Sequence, residues 1–102
     1  MEKILYNVTV NVDKSVEQDW LDWMKKVHIP EVMDTKLFQE YKIFRLLVDE
    51  DQGNTYAVQY FAKSIEKVLT FQANYAQALQ SKVYSKYGDK AVDFRTMLQQ
   101  VG

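Results

Sequence analysis

The stretch FQEYKIFRLLV-DEDQGN-TYAVQYFA, residues 38–62, decides the fold. Its two ends, residues 38–48 and 55–62, are rich in aromatic and β-branched side chains, a composition typical of β-strands. The six residues between them are acidic and finish with Gly53 followed by Asn54, both common turn formers. The sequence therefore predicts a β-hairpin with an exposed acidic loop at residues 49–54.

Before this hairpin, the pattern indicates one strand and one helix. Residues 4–12, ILYNVTVNV, alternate between two sets of side chains, which predicts a strand. Ser15 and Gln18 fit a capping box, so a helix is expected from there to about His28. Pro30 should interrupt that helix and open a second short turn that ends near Met33. Five residues form the apolar stripe expected on the helix: Val16, Trp20, Trp23, Met24 and Val27.

After the hairpin, the pattern indicates another helix and strand. Ser64 can cap a helix that runs to Tyr87, and Gly88 suits the position just beyond its end. Residues 91–98, AVDFRTML, are expected to form the last strand. The side of the second helix expected to be buried carries Ile65, Val68, Leu69, Gln72, Ala76, Leu79 and Val83.

The resulting order, β-α-β-β-α-β, favours an α+β, ferredoxin-like fold over residues 1–102 as a single domain. In that fold two helices cover one face of a four-stranded antiparallel sheet and leave the other face bare. The third strand is apolar on both faces, with Tyr56 and Tyr60 on one and Ala57 and Phe61 on the other. A bare apolar face needs a partner, so we expect two copies to pair their sheets as a homodimeric α/β barrel.

Composition and charge exclude several classes of function. The 102 residues are 47% hydrophobic and 26% charged, which is typical of a globular domain. Thirteen Lys+Arg against fourteen Asp+Glu give a net charge of −1, and no basic stripe is present, so nucleic acid is not expected as a partner. No apolar run approaches the length that spans a bilayer, and no membrane partner is expected.

The cysteine and histidine counts are equally informative. With no cysteine, the chain has neither disulfides nor a thiolate nucleophile, which weakly favours the cytoplasm. One histidine is too few for a structural metal site, and no metal or other cofactor is expected. Only three glycines occur, and neither a Gly-rich phosphate loop nor a G-x-S-x-G motif is found.

His28 is the first candidate for chemistry, because only imidazole titrates near neutral pH without perturbation. Helical spacing puts it at the edge of the apolar stripe, so it is a candidate catalytic base at a pocket mouth. The alternative is a histidine at a helix C-terminus that packs near Pro30 and interacts with the helix dipole. Trp23, with Trp20, is a candidate floor for an aromatic ligand, or else part of the core.

Several polar strand residues are candidate ligand-binding groups. Asn7, Arg45, Gln59 and Arg95 would form a patch able to hold a carboxylate if the register placed them on one face. Alternatively, Arg45 or Arg95 pairs with Glu40, with Asp93 or with an acid of a partner chain. Tyr60, among other strand tyrosines, could contribute a hydroxyl to the same cavity.

Five blocks carry a resemblance that spans nearly the whole chain: YNVTV (6–10), WLDWMKKVHIPEVM (20–33), FRLL (44–47), TYAVQYF (55–61) and DFRTML (93–98). They resemble a small bacterial family of unknown function, similar in turn to dimeric α/β-barrel proteins. That superfamily includes cofactor-free monooxygenases, haem-degrading enzymes, lactone isomerases and dye-decolourising peroxidases. Haem-degrading members place a haem-binding His on the second helix, whereas His28 and both tryptophans fall on the first.

Two functions follow as expectations. The first is a non-catalytic homodimer that acts as a ligand-sensing or interaction module. The alternative is a cofactor-free enzyme acting on a small hydrophobic or aromatic acid, with His28 as base and Arg45 or Arg95 holding the anion. A hollow barrel interior would favour the enzyme and a filled one the module. An RNA-binding domain shares this element order, but its third strand starts with a basic residue and a glycine and then carries two aromatic residues. In this sequence Asn54 and Thr55 take the place of the basic residue and glycine, and Val58 takes the place of the second aromatic residue.

Overall fold

The computed structural model describes residues 3–47 and 53–102. Four strands, β1–β4, form a single antiparallel sheet in the order β2-β3-β1-β4. Their bounds are Ile4–Val12, Glu40–Arg45, Asn54–Ala62 and Ala91–Gln99. Two long helices connect β1 to β2 and β3 to β4, which confirms the α+β, ferredoxin-like architecture predicted from the sequence.

The predicted strand bounds agree best for β1 and least well for β2. β1 has the predicted limits, whereas β2 is shorter than residues 38–48. Phe38 lies before the strand and is buried in the core, where its ring packs against Tyr6 and Tyr60. Val48 and most of the predicted acidic loop lie outside the described residues.

Each helix consists of α-helical segments joined by a π-helical turn. Helix α1 comprises Glu17–Trp23, the π turn Met24–His28 and Ile29–Met33. Helix α2 comprises Ile65–Phe71, the π turn Gln72–Ala76 and Gln77–Tyr87. A short 3₁₀ turn, Gly88–Lys90, leads into β4.

Pro30 does not end the first helix, contrary to the prediction. Proline lacks an N–H and its ring crowds the carbonyl one turn earlier, which normally breaks a helix. Here the preceding turn is widened, and the Ile29 N–H bonds to the Met24 oxygen five residues back. A π turn of this kind accommodates the proline without stopping the chain. His28 consequently lies inside α1 rather than at its C-terminus.

The π turns also change which side chains are buried. A π turn takes up extra residues, so the buried stripe moves by about one position after it. Val27, in the first π turn, and Gln72, in the second, are exposed although the regular spacing predicted them inside. Ile65 and Leu69 were also predicted inside and are exposed, but they precede the second π turn, which is therefore not the cause. The residues buried instead, which the stripes did not include, are Ile29, Val32, Phe71 and Tyr87.

Ser64 occupies the predicted N-cap position of α2, whereas the N-cap residue of α1 is Val16 and not Ser15. Neither Ser15 nor Ser64 makes a side-chain capping bond. The Ser15 N–H and hydroxyl both donate to Asp13 Oδ1, at 2.9 and 2.7 Å, because the short aspartate side chain closes a local turn. Gly88 does end the second helix with φ +58°, as predicted for a residue without a Cβ.

Gly53 joins the hairpin loop to β3 at a position that only glycine can occupy. Its φ is +133°, and a Cβ there would overlap the Val12 carbonyl oxygen. The close approach fixes the end of β1 against the start of β3.

The sheet has a covered face and an open face. Even-numbered residues of β1 and β3 and odd-numbered residues of β2 and β4 face the helices. The opposite set forms the open face, where Phe44, Val92, Phe94 and Leu98 are all about half exposed or more. None of the helices in the described part of the chain combines the length and apolar character needed to span a membrane.

Candidate functional site

A cavity of ≈ 40 Å³ lies between the covered face of the sheet and the two helices of the same chain. It is therefore not the space between two paired sheets, where the sequence argument looked for a hollow. About three water-sized probes fill this volume. Most of the wall is apolar: Val8, Val10, Trp20, Met24, Val32, Val58, Phe71, Ala76, Leu79 and Val83. The polar lining consists of Tyr6, His28, Tyr60, Gln80, Asp93 and Arg95; we call this site the His28 cavity.

His28 lines the cavity from the π turn of α1. Its ring lies against Trp23 with centroids 5.5 Å apart. The Nδ1 atom is buried and has no hydrogen-bond partner among the described residues. Burial lowers the pKa of the imidazole from 6.5 to about 4, so at neutral pH the ring is uncharged.

Tyr60 lines the cavity from near the C-terminal end of β3, and 2% of the residue is exposed. Its hydroxyl is likewise buried without a hydrogen-bond partner in the part of the chain that is described. Burial raises the pKa of this hydroxyl, and that of Tyr6 in the neighbouring strand, so both are neutral. A buried polar atom without a partner costs about 1–3 kcal/mol, which makes both Tyr60 and His28 unusual.

Arg95 lines the cavity from β4, and its donors are largely engaged. Its Nη1 and Nη2 donate to the two carboxylate oxygens of Asp93, at 3.1 and 3.2 Å. The Gln80 carboxamide, with its oxygen turned toward the guanidinium, accepts from Nε at 3.0 Å and from Nη2 at 3.3 Å. The pairing of Arg95 with Asp93, one of the alternatives raised by the sequence, is therefore present within the chain.

The charged groups that act on His28 form two ion pairs. Arg95 pairs with Asp93, and Lys82 on α2 pairs with Glu31 on α1, Nζ to Oε2 2.6 Å. These four side chains are the charges that influence the imidazole, two raising and two lowering its pKa. Within the described residues the cavity is therefore lined by neutral groups and by charges that cancel.

The predicted polar patch on one sheet face does not exist. Asn7 and Gln59 are opposite each other on the open face, whereas Arg45 and Arg95 are on the covered face in strands at opposite edges. Asn7 donates to Thr9 Oγ1 at 3.1 Å and to Thr96 Oγ1 at 3.4 Å. The register, which the sequence left open, separates these residues.

Trp23 and Arg45 lie outside the cavity lining. Trp23 faces the groove between α1 and α2, where its ring meets Tyr87 edge-on and Lys86 lies 6.0 Å above it. Trp20, not Trp23, is the fully buried tryptophan, and it lines the cavity. Of the seven candidate residues, the structure brings together His28, Tyr60 and Arg95.

A second polar cluster lies elsewhere on the covered side, and we call it the Glu17 cluster. The Glu17 carboxylate accepts from Asn54 Nδ2 at 2.8 Å and from the Tyr56 hydroxyl. These hydrogen bonds, with the Tyr56 bond contributing most, lower the pKa of Glu17. Burial, followed by the same carboxylate, raises the pKa of Tyr56 to about 12. Every principal member of this cluster has a partner.

Gln80 is a cavity residue that the sequence argument missed. It follows Ala76 by four positions and precedes Val83 by three, so it lies on the buried side of α2. A polar residue inside such a stripe was a usable signal. Asp93 was considered only as a partner of arginine, although its spacing of two from Arg95 puts both on one face of a strand. Across residues 3–47 and 53–102, His, Cys, Asp and Glu side chains form no group of three or more that could hold a metal ion.

Comparison with known proteins identifies a family and a fold. A family model described as a domain of unknown function (DUF4286) matches residues 3–101. The sequence matches none of the curated proteins with which it was compared. Among solved structures, a dimeric ferredoxin-like protein from an uncultured marine organism is similar, with a TM-score of 0.76, 12% identity, and coverage of 100% of this chain and 98% of that one.

Two further solved structures share the fold. A Bordetella bronchiseptica protein proposed to be an antibiotic biosynthesis monooxygenase has a TM-score of 0.68 and 10% identity, covering 100% of this chain and 98% of its own. A hydroxynitrile lyase from Passiflora edulis has a TM-score of 0.61 and 20% identity, covering 97% of this chain and 96% of its own. At such identities the likeness shows the fold alone.

Proposed function

The chain belongs to the DUF4286 family, a domain of unknown function, and we propose that it is a homodimer that binds a small molecule in the His28 cavity without converting it. The observation that carries the proposal is that two residues lining one mostly apolar cavity each have a buried polar atom, His28 Nδ1 and Tyr60 Oη, without a partner among the described residues. Apolar walls with a few polar groups to orient the ligand are typical of small-molecule sites.

The size of the cavity limits the ligand or requires side chains to move. A cavity of about 150 Å³ holds benzene, so ≈ 40 Å³ accepts only a few heavy atoms unless the lining adjusts. Met24 is an unbranched side chain in the wall, and thioethers adapt readily to new shapes. We therefore expect a ring-sized ligand to enter by displacing Met24.

The occupant proposed for the open face is a second copy of this chain. Phe44 and Phe94 lie at the two ends of one row across the sheet, with the small residues Ala57 and Thr9 between them. Phe44 is 51% exposed and Phe94 61%, so a two-fold related sheet could bury both rings over the central depression. A solved structure of the same fold is described as dimeric, which supports this assembly.

Analytical ultracentrifugation of matched variants tests the dimer. Phe94→Glu places a charge in the proposed interface and should give a monomer at micromolar concentration. Tyr84→Glu changes an aromatic residue that is 71% exposed on α2, and should leave the dimer intact. A compact wild-type monomer, or equal effects of the two variants, would contradict the assembly.

Ligand binding is tested by an NMR screen of small uncharged and charged fragments. The chain has a single histidine, so the imidazole gives one set of resonances that reports directly on the cavity. Val83→Phe should fill the cavity and abolish the shifts, whereas Val27→Phe, in the groove between α1 and α2 and outside the cavity lining, should preserve them. Fragments that leave the imidazole unchanged, or act equally on both variants, would contradict binding in the cavity.

The second candidate is a cofactor-free enzyme acting on a small hydrophobic or aromatic acid. It is favoured by the presence of His28 and Arg95 in one cavity, and by proteins of the same fold described as a proposed monooxygenase and a hydroxynitrile lyase. Two observations weaken it. An imidazole with a pKa near 4 is a weak base at neutral pH, and Arg95 already holds Asp93.

Hydrogen exchange at carbon distinguishes the two candidates. Phenylacetate in deuterated buffer should exchange its α-protons at the uncatalysed rate in the presence of the protein. Exchange that is faster with the wild type than with His28→Gln would establish proton abstraction and favour the enzyme.

A further inference from the structure

Within the described residues, the charged side chains that line the His28 cavity are paired with each other. Among the residues that the structure describes, Arg95 is the one cation in the lining, and its Nη1 and Nη2 atoms donate to both carboxylate oxygens of Asp93. The neighbouring cation, Lys82, is 2.6 Å from Glu31. A carboxylate entering the cavity would meet no free positive charge among the described residues and would have to displace Asp93.

Displacement of Asp93 is unfavourable on physical grounds. A bidentate pair of arginine and carboxylate is among the strongest hydrogen-bonded arrangements in proteins. The Arg95 and Asp93 side chains are 26% and 28% exposed, so a freed Asp93 would be a partly buried charge without a partner. The Gln80 oxygen occupies further donors of the same guanidinium.

The Tyr60 hydroxyl and His28 Nδ1 call for a hydrogen-bond partner that is not an anion. The Tyr60 hydroxyl can donate or accept a hydrogen bond, and a neutral imidazole nitrogen does one or the other according to its tautomer. A ligand hydroxyl, which does both, satisfies either atom in either tautomer. A carboxylate only accepts, and a hydrocarbon leaves the atoms as they are.

Resting on the proposed small-molecule function, we propose that the His28 cavity selects an uncharged ligand that is apolar except for a hydroxyl group, and rejects the corresponding carboxylate. The Arg95–Asp93 ion pair in the lining excludes the anion, the apolar wall binds the hydrocarbon part, and Tyr60 and His28 bind the hydroxyl. The acid expected from the sequence is thereby replaced by an alcohol or a phenol.

Three probes that share one carbon skeleton test this proposal: benzyl alcohol, benzoate and toluene. Each is titrated into the wild-type protein at pH 7.5, with the His28 imidazole and backbone amide resonances as readout. Benzyl alcohol should bind at least tenfold more tightly than benzoate and several-fold more tightly than toluene, since a site that offers unpaired polar groups discriminates against ligands that lack a partner for them.

Tyr60→Phe is the matched variant. It should weaken the binding of benzyl alcohol about tenfold, the usual contribution of one well-made hydrogen bond, and leave the affinity for toluene unchanged. Tyr84→Phe removes an exposed hydroxyl outside the cavity and should alter neither probe.

The outcomes separate the two proposals. If benzoate binds as tightly as benzyl alcohol, or if toluene does, the selectivity is overturned while small-molecule binding stands. If none of the three probes moves the His28 resonance up to its solubility limit, both proposals fail together. Tighter binding of the alcohol that Tyr60→Phe does not reduce would also overturn the assignment of its hydroxyl partner.

Discussion

Two polar clusters lie on the covered side of the sheet, and they are built in opposite ways. In the Glu17 cluster a carboxylate receives hydrogen bonds from Asn54 and from the Tyr56 hydroxyl. In the His28 cavity the Tyr60 hydroxyl and the His28 Nδ1 atom are buried and have no partner within residues 3–47 and 53–102. Tyr56 and Tyr60 come from the same strand and the same face, four residues apart, so their surroundings make the difference.

The difference indicates which cluster is structural. Satisfied buried polar groups stabilise a fold, whereas unsatisfied ones reduce its stability and persist where they serve another purpose. The Glu17 cluster ties the first turn of α1 to β3 and leaves little for a ligand to gain. The His28 cavity leaves hydrogen-bonding capacity unused, which a ligand can take up.

Acidification tests this contrast with the largest expected effect. The pKa of His28 is about 4 in the folded protein, below the ordinary 6.5, because burial disfavours the charged ring. The unfolded chain therefore binds more protons between these values, and the stabilisation present above pH 6.5 is lost as the pH falls toward 4. The loss should reach about 3 kcal/mol, and Glu31, Asp93, Arg95 and Lys82 are the charged groups that adjust it.

Urea unfolding at pH 7.5 and 4.0, at one protein concentration, measures this effect. The wild type should lose more stability than His28→Gln, whose side chain does not titrate, while the acids common to both proteins cancel in the difference. NMR titration of the single imidazole gives its pKa directly. A midpoint near 6.5, or equal losses in the two proteins, would show that the ring is hydrated and charged in the fold.

The two tyrosines test the same contrast with a smaller effect. Tyr56→Phe removes a hydrogen bond to an ionised carboxylate and should cost about 2 kcal/mol of unfolding free energy. Tyr60→Phe removes a hydroxyl that has no partner among the described residues, and it should raise the free energy of unfolding by about 1 kcal/mol because the cost of burying that hydroxyl is removed. Thermal and chemical unfolding of both variants measures the difference. Equal losses would mean that the Tyr60 hydroxyl is satisfied in solution.

The sequence predicted the fold well because alternation and helical spacing are set locally. β1 has the predicted bounds, and the β-α-β-β-α-β order follows from short-range patterns and simple connection rules. What it missed was the pair of π turns, since a regular period of 3.6 residues has no place for an inserted residue. His28 was placed at a helix end because Pro30 was expected to interrupt the helix, whereas the π turn accommodates the proline.

The candidate site was predicted only in part, because strand register is not a local property. His28, Tyr60 and Arg95 do meet in one cavity, but Asn7 and Gln59 lie on the other face of the sheet. Strand parity alone could have separated Asn7 from Tyr6 and its neighbours on the covered face. The engagement of Arg95 by Asp93 and Gln80 depends on how β4 meets α2, which a pattern within one segment does not contain.

The smallest expected effect is the loss of the stability contributed by the Glu17 cluster at acidic pH. Hydrogen bonds, chiefly from Tyr56, lower the pKa of Glu17 in the folded protein. The stabilisation is thus present above the pKa of the unfolded chain and is lost as the pH falls through the lower folded value. Because Glu17 is largely solvated, we expect no more than about 1 kcal/mol. Unfolding of Glu17→Gln and of the wild type between pH 4.5 and 3 measures this loss. If stability depends on pH as steeply in the variant as in the wild type, the carboxylate titrates as it does in the unfolded chain. The hydrogen bonds of the Glu17 cluster would then not stabilise the fold.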